Sequence, residues 1–200
     1  MKIVSSFVFI LPGLDRHGIS NPVTYKHGVI AGQLKENRIS ILDAGSRDGW
    51  VVEFLNSLGY SNVIGVELLE DYVQYCKDME RRVILGDLHN LTFRDKSFDF
   101  VYCRHVIEHC LDPVSVLNEL MRVTKIGGAV YCSFPLEDYV SGKHTTAVPT
   151  MKSVDNILRQ IKYDFHPLYV GMAEDTSVVI PEGNEAIIFA IKKLTPGGKK

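Results

Sequence analysis

The sequence predicts a single α/β domain built on a mostly parallel β-sheet, and two observations lead to this fold class. Between residues 39 and 134, short apolar runs alternate with segments of helical periodicity, which is the pattern of repeated strand–helix units. In addition, 46% of the 200 residues are hydrophobic. That fraction is enough to bury a sizeable core in one domain of ordinary size.

The first five predicted strands and the helices between them follow from this alternation. The strands are predicted at 39–44, 62–67, 81–87, 97–104 and 129–134. Apolar residues recur at helical spacing from Val51 to Leu58, from Leu69 to Cys76, from Val114 to Met121 and from Val154 to Ile161. Gly59 ends the first helix. Asp112 and Pro113 begin the third, and Lys125 with Gly127 and Gly128 is expected to end it.

The last third of the chain changes character. Residues 163–171 and 185–193 are apolar runs with no helical pattern between them, so we expect an antiparallel pair that closes the sheet. Residues 195–200 are predicted to be a disordered tail.

Composition and charge exclude several function classes. Twenty-two Lys and Arg against 24 Asp and Glu give a formal charge of −2, so no overall attraction to nucleic acid or to an anionic membrane is expected. The apolar run at residues 3–11 is far shorter than the roughly 20 residues of a membrane span, and no small-x-small cleavage site follows it. We expect it to be an edge strand or a docking segment. The four cysteines form no C-x-x-C pair, which predicts reduced thiols and a cytoplasmic location.

The stretch DAGSRDG, residues 43–49, lies where the first strand ends and a helix begins. In a parallel sheet this turn faces the carboxyl edge, where ligands bind. Gly45 and Gly49 permit close approach of the backbone, and the helix beginning near Asp48 offers free N–H groups to an anionic or polar ligand. Taken alone, the stretch is equally compatible with a plain strand-to-helix turn.

Two acidic residues follow the next strands. Glu67 ends the second strand 24 positions after Asp43, close to the spacing expected for a carboxylate that binds ribose hydroxyls. Asp87, after Gly86 at the end of the third strand, suits an exocyclic amine. Each acid alone is more often a helix cap or a solvated charge, but polar residues at three successive strand ends predict one nucleoside-sized site.

Four motifs in series resemble the class I S-adenosylmethionine-dependent methyltransferases, in particular the ubiquinone-type (type 11) methyltransferase domain. They are DAGSRDG (43–49), VIGVELLEDYV (63–73), GDL (86–88) and the segment from SFDFVYC to YCSFP (97–135). The resemblance implies a Rossmann-like three-layer sandwich with a seven-stranded sheet and an antiparallel last strand. It also implies S-adenosyl-L-methionine as cofactor and methyl transfer to an O, N or C atom of a small molecule.

Carried onto this chain, the resemblance implies a domain over residues 39–194, preceded by a lid or acceptor-binding segment over 1–38 that includes Tyr25 and His27. The cofactor-binding residues it implies are Asp43, Gly45, Ser46, Arg47, Gly49, Glu67, Leu68, Gly86, Asp87, Leu88, Cys103 and Arg104. The family usually has glycine where this chain has Arg47. The loop is then wider, or the guanidinium lies over the cofactor carboxylate or points to solvent.

His105 and His144 are the candidates for acceptor orientation or general base catalysis, because an imidazole titrates near neutrality. The segment HVIEH, residues 105–109, also matches an H-x-x-E-H zinc pattern. A protease is rejected because the segment follows a buried strand and no third ligand is clearly placed. Some metal-dependent hydroxyl methyltransferases carry E-x-x-E-H at the corresponding place, but we predict no metal.

Three further function classes remain as alternatives. The protein could be a catalytically inactive cofactor-binding module that serves as a partner or regulatory subunit. A nicotinamide-dependent oxidoreductase conflicts with Arg47, because that residue breaks the G-x-G-x-x-G pattern. A metallohydrolase would rest on HVIEH alone.

Overall fold

The computed structural model describes residues 39–136, 145–148, 150–172 and 185–193. Seven strands form one sheet: β1 (Ile41–Ala44), β2 (Val63–Glu67), β3 (Val83–Leu85), β4 (Phe98–Arg104), β5 (Thr124–Pro135), β6 (Phe165–Met172) and β7 (Glu185–Lys192). The helices are α1 (Trp50–Ser57), α2 (Glu70–Asp78), α3 (Pro113–Val123) and α4 (Met151–Leu158), with a 3-10 turn at Ile107–His109.

The strand order is β3-β2-β1-β4-β5-β7-β6. Strands β1 to β5 pair in parallel, whereas β7 is antiparallel to both β5 and β6. This confirms the predicted mostly parallel sheet with an antiparallel last strand. Successive strands are added on one side of β1 up to β3, and β4 is then added on the other side of β1. The carboxyl ends of β1 and β4 therefore flank the crevice in which ligands of such sheets bind.

The core lies in two layers, one on each face of the sheet. Neighbouring residues of a strand point to opposite faces, so Ile41 belongs to one layer and Leu42 to the other. Ile41 packs with Val52 of α1 and Cys76 of α2, and Leu42 belongs to the layer formed by α3 and α4. The three-layer sandwich implied by the resemblance is therefore present.

The end of α3 differs from the prediction. The helix stops at Val123, and β5 begins at Thr124, so Gly127 and Gly128 lie inside a strand and do not terminate the helix. Thr124 explains the early stop, because its hydroxyl donates to the Leu120 carbonyl at 2.6 Å while its backbone pairs with β4. The third strand is also shorter than the predicted 81–87.

Within the described ranges, no helix is long and apolar enough to cross a membrane. The predicted N-terminal segment over 1–38, with Tyr25 and His27, and the tail at 195–200 lie outside the described residues.

A buried lysine ties the last strand to α3. Lys192 of β7 is 4% exposed, and its ammonium donates to the carbonyls of Met121, Arg122 and Thr124 at 2.7, 3.3 and 3.0 Å. These carbonyls lie at the C-terminus of α3, where backbone oxygens lack partners within the helix. The positive charge also complements the helix dipole. Lys192 therefore fixes the end of α3 against the sheet.

We predict that Lys192→Met lowers the free energy of unfolding by about 2 kcal/mol, because three buried carbonyls lose a charged donor. Urea denaturation followed by circular dichroism measures the change. Lys193→Met is the matched control, since Lys193 is exposed, and it should change stability by less than about 0.5 kcal/mol. Equal effects of the two substitutions would contradict the role of Lys192.

Candidate functional site

The carboxyl ends of four neighbouring strands meet at one edge of the sheet. Ala44 at the end of β1 is paired with Val66 of β2 on one side and Cys103 of β4 on the other, and Glu67 is paired with Leu85 of β3. This register brings the predicted site residues after β1, β2, β3 and β4 to a common edge. The edge is where a ligand of a doubly wound sheet binds.

The loop after β1 is held close to β2. The N–H groups of Gly45 and Ser46 both donate to the Val66 carbonyl at 2.9 Å. Gly45 has a φ of +79°, and a Cβ atom there would lie 2.3 Å from Cγ2 of Val106. Position 45 therefore requires glycine, both for its backbone conformation and for the close approach of Val106.

Arg47 adopts the left-handed backbone conformation that glycine adopts without strain, with a φ of +51°. Its N–H donates to Glu67 Oε2 at 2.8 Å. Its Nε donates to the Tyr72 hydroxyl at 3.2 Å, and its Cζ lies 5.5 Å from the centre of the Tyr72 ring. The Arg47 side chain thus contacts Tyr72 of α2, a position that the sequence analysis did not consider.

The Glu67 carboxylate accepts hydrogen bonds from three backbone N–H groups. Oε2 accepts from Arg47, while Oε1 accepts from Leu68 and Leu69 at 2.9 and 3.0 Å. These bonds fix the carboxylate against the loop after β1 and the start of α2. A carboxylate has roughly four acceptor positions, so Oε2 keeps the capacity to accept from a ligand hydroxyl.

Residues of α2 and of the turn before β3 bond to the backbone of the loop after β1. The Cys76 thiol donates to the Arg47 carbonyl at 3.4 Å, and Arg81 Nη1 donates to the Asp48 carbonyl at 2.7 Å. Sequence reasoning missed Tyr72, Cys76 and Arg81 as supports of the loop. Periodicity marks Tyr72 and Cys76 only as parts of an apolar stripe, and no local pattern links Arg81 to a loop 33 positions earlier.

Asp43 lies beneath the loop and not on its surface. It is 2% exposed, and the Ser46 hydroxyl donates to its Oδ2 at 2.6 Å. Burial raises the pKa of Asp43 to about 7, while the hydrogen bond from Ser46 opposes the rise. Asp43 and Ser46 therefore support the loop from within.

The edge combines polar and apolar recognition surfaces. Gly49 is the N-cap of α1 and has no side chain with which to cap it, so the N–H groups of the first turn suit an anionic group. Beside Glu67, the side chains of Leu68 and Leu85 are 63% and 50% exposed. These leucines suit a flat apolar group, and Glu67 next to them suits a hydroxyl.

The turn after β3 places Asp87 on the same edge. The Gly86 N–H donates to the Glu67 carbonyl at 2.9 Å, which holds the start of the turn next to β2. The Asp87 side chain is about half exposed and is bonded to His89, a residue that sequence reasoning missed. Leu88, in contrast, is buried in the core.

The end of β4 carries a buried thiol, Cys103, and is followed by the imidazole of His105. Cys103 is fully buried opposite Cys132, and the contact between the thiols together with burial raises the pKa of Cys103 well above its usual value, so the thiol stays neutral. Arg104 ends the strand and is partly buried. His105 follows with a φ of +52°, and its N–H donates to the Ser133 carbonyl at 2.8 Å.

A buried carboxylate lies beside His105. Glu108 Oε1 is 3.5 Å from His105 Nδ1 and 4.0 Å from His109 Nε2. The Glu108 side chain is 4% exposed, and its Oε2 has no hydrogen-bond partner among the described residues. The N–H groups of Thr145 and Thr146 donate to the Glu108 carbonyl at 2.8 and 3.1 Å. His144, predicted as a second catalytic residue, lies outside the described residues.

The H-x-x-E-H pattern does not form a helical ligand pair. His105 precedes the 3-10 turn and His109 ends it, so the two imidazoles are not presented from successive turns of an α-helix. Across the described part of the chain, no group of three or more His, Cys, Asp and Glu side chains has an arrangement that could hold a metal ion.

Parts of the chain are similar in sequence to known proteins. The methyltransferase domain family matches residues 42–132. An uncharacterised methyltransferase from Schizosaccharomyces pombe is 32% identical over 132 residues, which cover 59% of this chain and 47% of that protein. A demethylmenaquinone methyltransferase from Staphylococcus saprophyticus is 33% identical over 42% of this chain and 38% of that protein. The chain thus spans less than half the length of either relative.

Solved structures share the fold at low sequence identity. A methyltransferase from Haloferax volcanii, solved in complex with its activator, matches with a TM-score of 0.66 at 18% identity, over 78% of this chain and 83% of that one. A methyltransferase from Thermotoga maritima matches with a TM-score of 0.59 at 20% identity, over the same shares of the two chains. The sequence matches support a class I methyltransferase domain over residues 42–132, and that class uses S-adenosylmethionine as methyl donor. The solved structures show that the fold is shared.

Proposed function

We propose that the protein transfers a methyl group from S-adenosylmethionine to an O, N or C atom of a small-molecule acceptor. The observation that carries this proposal is the edge formed by the ends of β1 to β4, where Glu67, Asp87 and the uncapped start of α1 lie around two exposed leucines. The formal charge of −2 favours a small acceptor over a nucleic acid.

The groups at this edge fit the parts of S-adenosylmethionine. Glu67 Oε2 retains an acceptor position for a ribose hydroxyl, and the exposed Leu68 and Leu85 offer an apolar surface to the adenine ring. Asp87 presents a carboxylate oxygen suited to the adenine amine. The free N–H groups at the start of α1 suit the carboxylate of the methionine part.

The remaining residues named for the cofactor have supporting roles in this proposal. Asp43 and Ser46 hold the loop from below, and Arg47 holds it from outside through Tyr72. Cys103 is fully buried and neutral, so it supports the end of β4 from within the core. When bound, S-adenosylmethionine supplies an electrophilic methyl group, so the protein contributes mainly position and exclusion of water.

For a hydroxyl or ammonium acceptor, a base must also take a proton. We assign this role to His105, because it is the partly exposed imidazole at the end of β4. The buried Glu108 side chain, with Oε1 3.5 Å from Nδ1, restricts the orientation of the ring. His144 is proposed as a second residue for acceptor orientation or proton transfer, because its imidazole is suited to that chemistry.

The experiments below also test two other functions. A binding module without catalysis would bind S-adenosylmethionine and show no turnover with any acceptor. A tRNA carboxymethyltransferase from Campylobacter hominis is 24% identical over 68% of this chain and 54% of that protein, so an RNA acceptor belongs in the screen.

Calorimetric titration with S-adenosylmethionine and S-adenosylhomocysteine, with NAD in parallel, tests the cofactor assignment. We predict that Glu67→Gln weakens the binding of both sulfur ligands at least tenfold, because the amide removes the charge and one of the acceptor oxygens. Asp87→Ala should also weaken them. Glu70→Gln is the control, since Glu70 is an exposed acid in the first turn of α2. Unchanged affinity in both site variants would overturn the assignment.

A separate substitution tests the proposed base. We predict that His105→Asn lowers turnover of a hydroxyl acceptor about 100-fold while the affinity for S-adenosylhomocysteine stays within threefold. Asparagine tolerates the left-handed backbone of this position, which limits structural damage. The same pattern is expected for His144→Ala, and His109→Asn is the control. Normal turnover of His105→Asn would remove His105 from catalysis.

A further inference from the structure

Each ring nitrogen of His89 has a hydrogen-bond partner, and the two partners favour one tautomer of the ring. Its backbone N–H donates to Asp87 Oδ1 at 2.9 Å, and its ring Nδ1 lies 2.7 Å from the same oxygen. On the other side of the ring, the N–H of Asp112 donates to Nε2 at 3.4 Å. A backbone N–H can only donate, so the tautomer with its proton on Nδ1 satisfies both contacts. His89 therefore donates twice to Asp87.

These two bonds orient the Asp87 carboxylate. Both fall on Oδ1, which restricts rotation of the carboxylate, and they hold the pKa of Asp87 below its ordinary value. No described residue bonds to Oδ2. The Asp87 side chain is 53% exposed, so Oδ2 is open to a ligand at the edge of the sheet. Two donors on one oxygen thus leave the other as a pure hydrogen-bond acceptor.

The imidazole is also anchored from a second element. Asp112, whose N–H bonds to Nε2, is the N-cap of α3, and its carboxylate accepts from the Ser115 N–H at 3.0 Å. His89 therefore connects the turn after β3 with the start of α3. A turn residue held by its own loop could rotate together with that loop, but this second contact ties the ring to the body of the domain.

We propose that His89 is a positioning residue that makes Asp87 select a 6-amino purine over a 6-oxo purine. This inference rests on the proposed function, in which Asp87 faces the adenine ring. An exocyclic amine donates to Oδ2, whereas a keto oxygen at the same position would face a second acceptor and leave both unsatisfied. Without His89, the carboxylate could turn or be replaced by water, and the distinction would weaken.

The probes are S-adenosylhomocysteine and its deaminated analogue S-inosylhomocysteine, whose base has a keto oxygen in place of the amine at C6 and a proton on N1. Calorimetry on the full chain should show that the wild type binds the adenosyl ligand at least tenfold more tightly, because one charge-assisted hydrogen bond is replaced by a repulsive contact. We predict that His89→Leu reduces this ratio to less than threefold. His89→Asn should restore most of it, because its amide can donate to Asp87 as Nδ1 does.

Two further variants make the outcome decisive. Asp87→Asn should abolish or reverse the preference, because an amide can donate to a keto oxygen, and His166→Leu, at an exposed position of β6, should leave it unchanged. If Asp87→Asn changes the ratio and both His89 variants keep the wild-type ratio, His89 is not a positioning residue, although the cofactor site stands. If the wild type binds neither ligand, the proposed function itself fails. Should His89→Leu unfold, His89→Phe replaces it with a ring that has no donor.

Discussion

The carboxylate of Glu67 is the contact on which the rest of the site depends. It accepts from the N–H groups of Arg47, Leu68 and Leu69, and so joins the loop after β1 to the start of α2. The loop after β1 carries the N-cap of α1, and the Gly86 N–H is bonded to the Glu67 carbonyl. One residue therefore fixes the relative positions of three strand ends. A ligand that bonds to Glu67 meets a surface that is already assembled, which lowers the cost of ordering it on binding.

Arg47 shows how contacts with distant residues stabilise a backbone conformation that arginine itself disfavours. An arginine with positive φ is strained, and the sequence alone leaves open whether the loop widens to relieve that strain. In the structure, the Arg47 N–H is bonded to Glu67 and its guanidinium to the Tyr72 hydroxyl, and these contacts hold the strained backbone in place. At this departure from the family pattern, contacts with Glu67 and Tyr72 thus supply what the backbone preference of arginine does not.

Local patterns predict the strands, the helices and the common edge of Glu67 and Asp87, because periodicity depends on neighbouring residues and parallel strands align their carboxyl ends. They do not predict the contacts of Arg81 with Asp48 or of Asp112 with His89, which join positions 33 and 23 residues apart. Such contacts depend on the packing of whole elements. The predicted end of α3 is wrong for the same reason, because Thr124 pairs with β4 and so ends the helix before Gly127 and Gly128.

A crystal structure with S-adenosylhomocysteine would test the central claim most directly, because it shows which atoms the ligand contacts. The account predicts a ribose hydroxyl within hydrogen-bond distance of Glu67 Oε2 and the adenine amine within that distance of Asp87 Oδ2. It also predicts the ligand carboxylate at the first turn of α1. A ligand bound away from the ends of β1 to β3, or with its adenine on the other side of Glu67, would contradict the account.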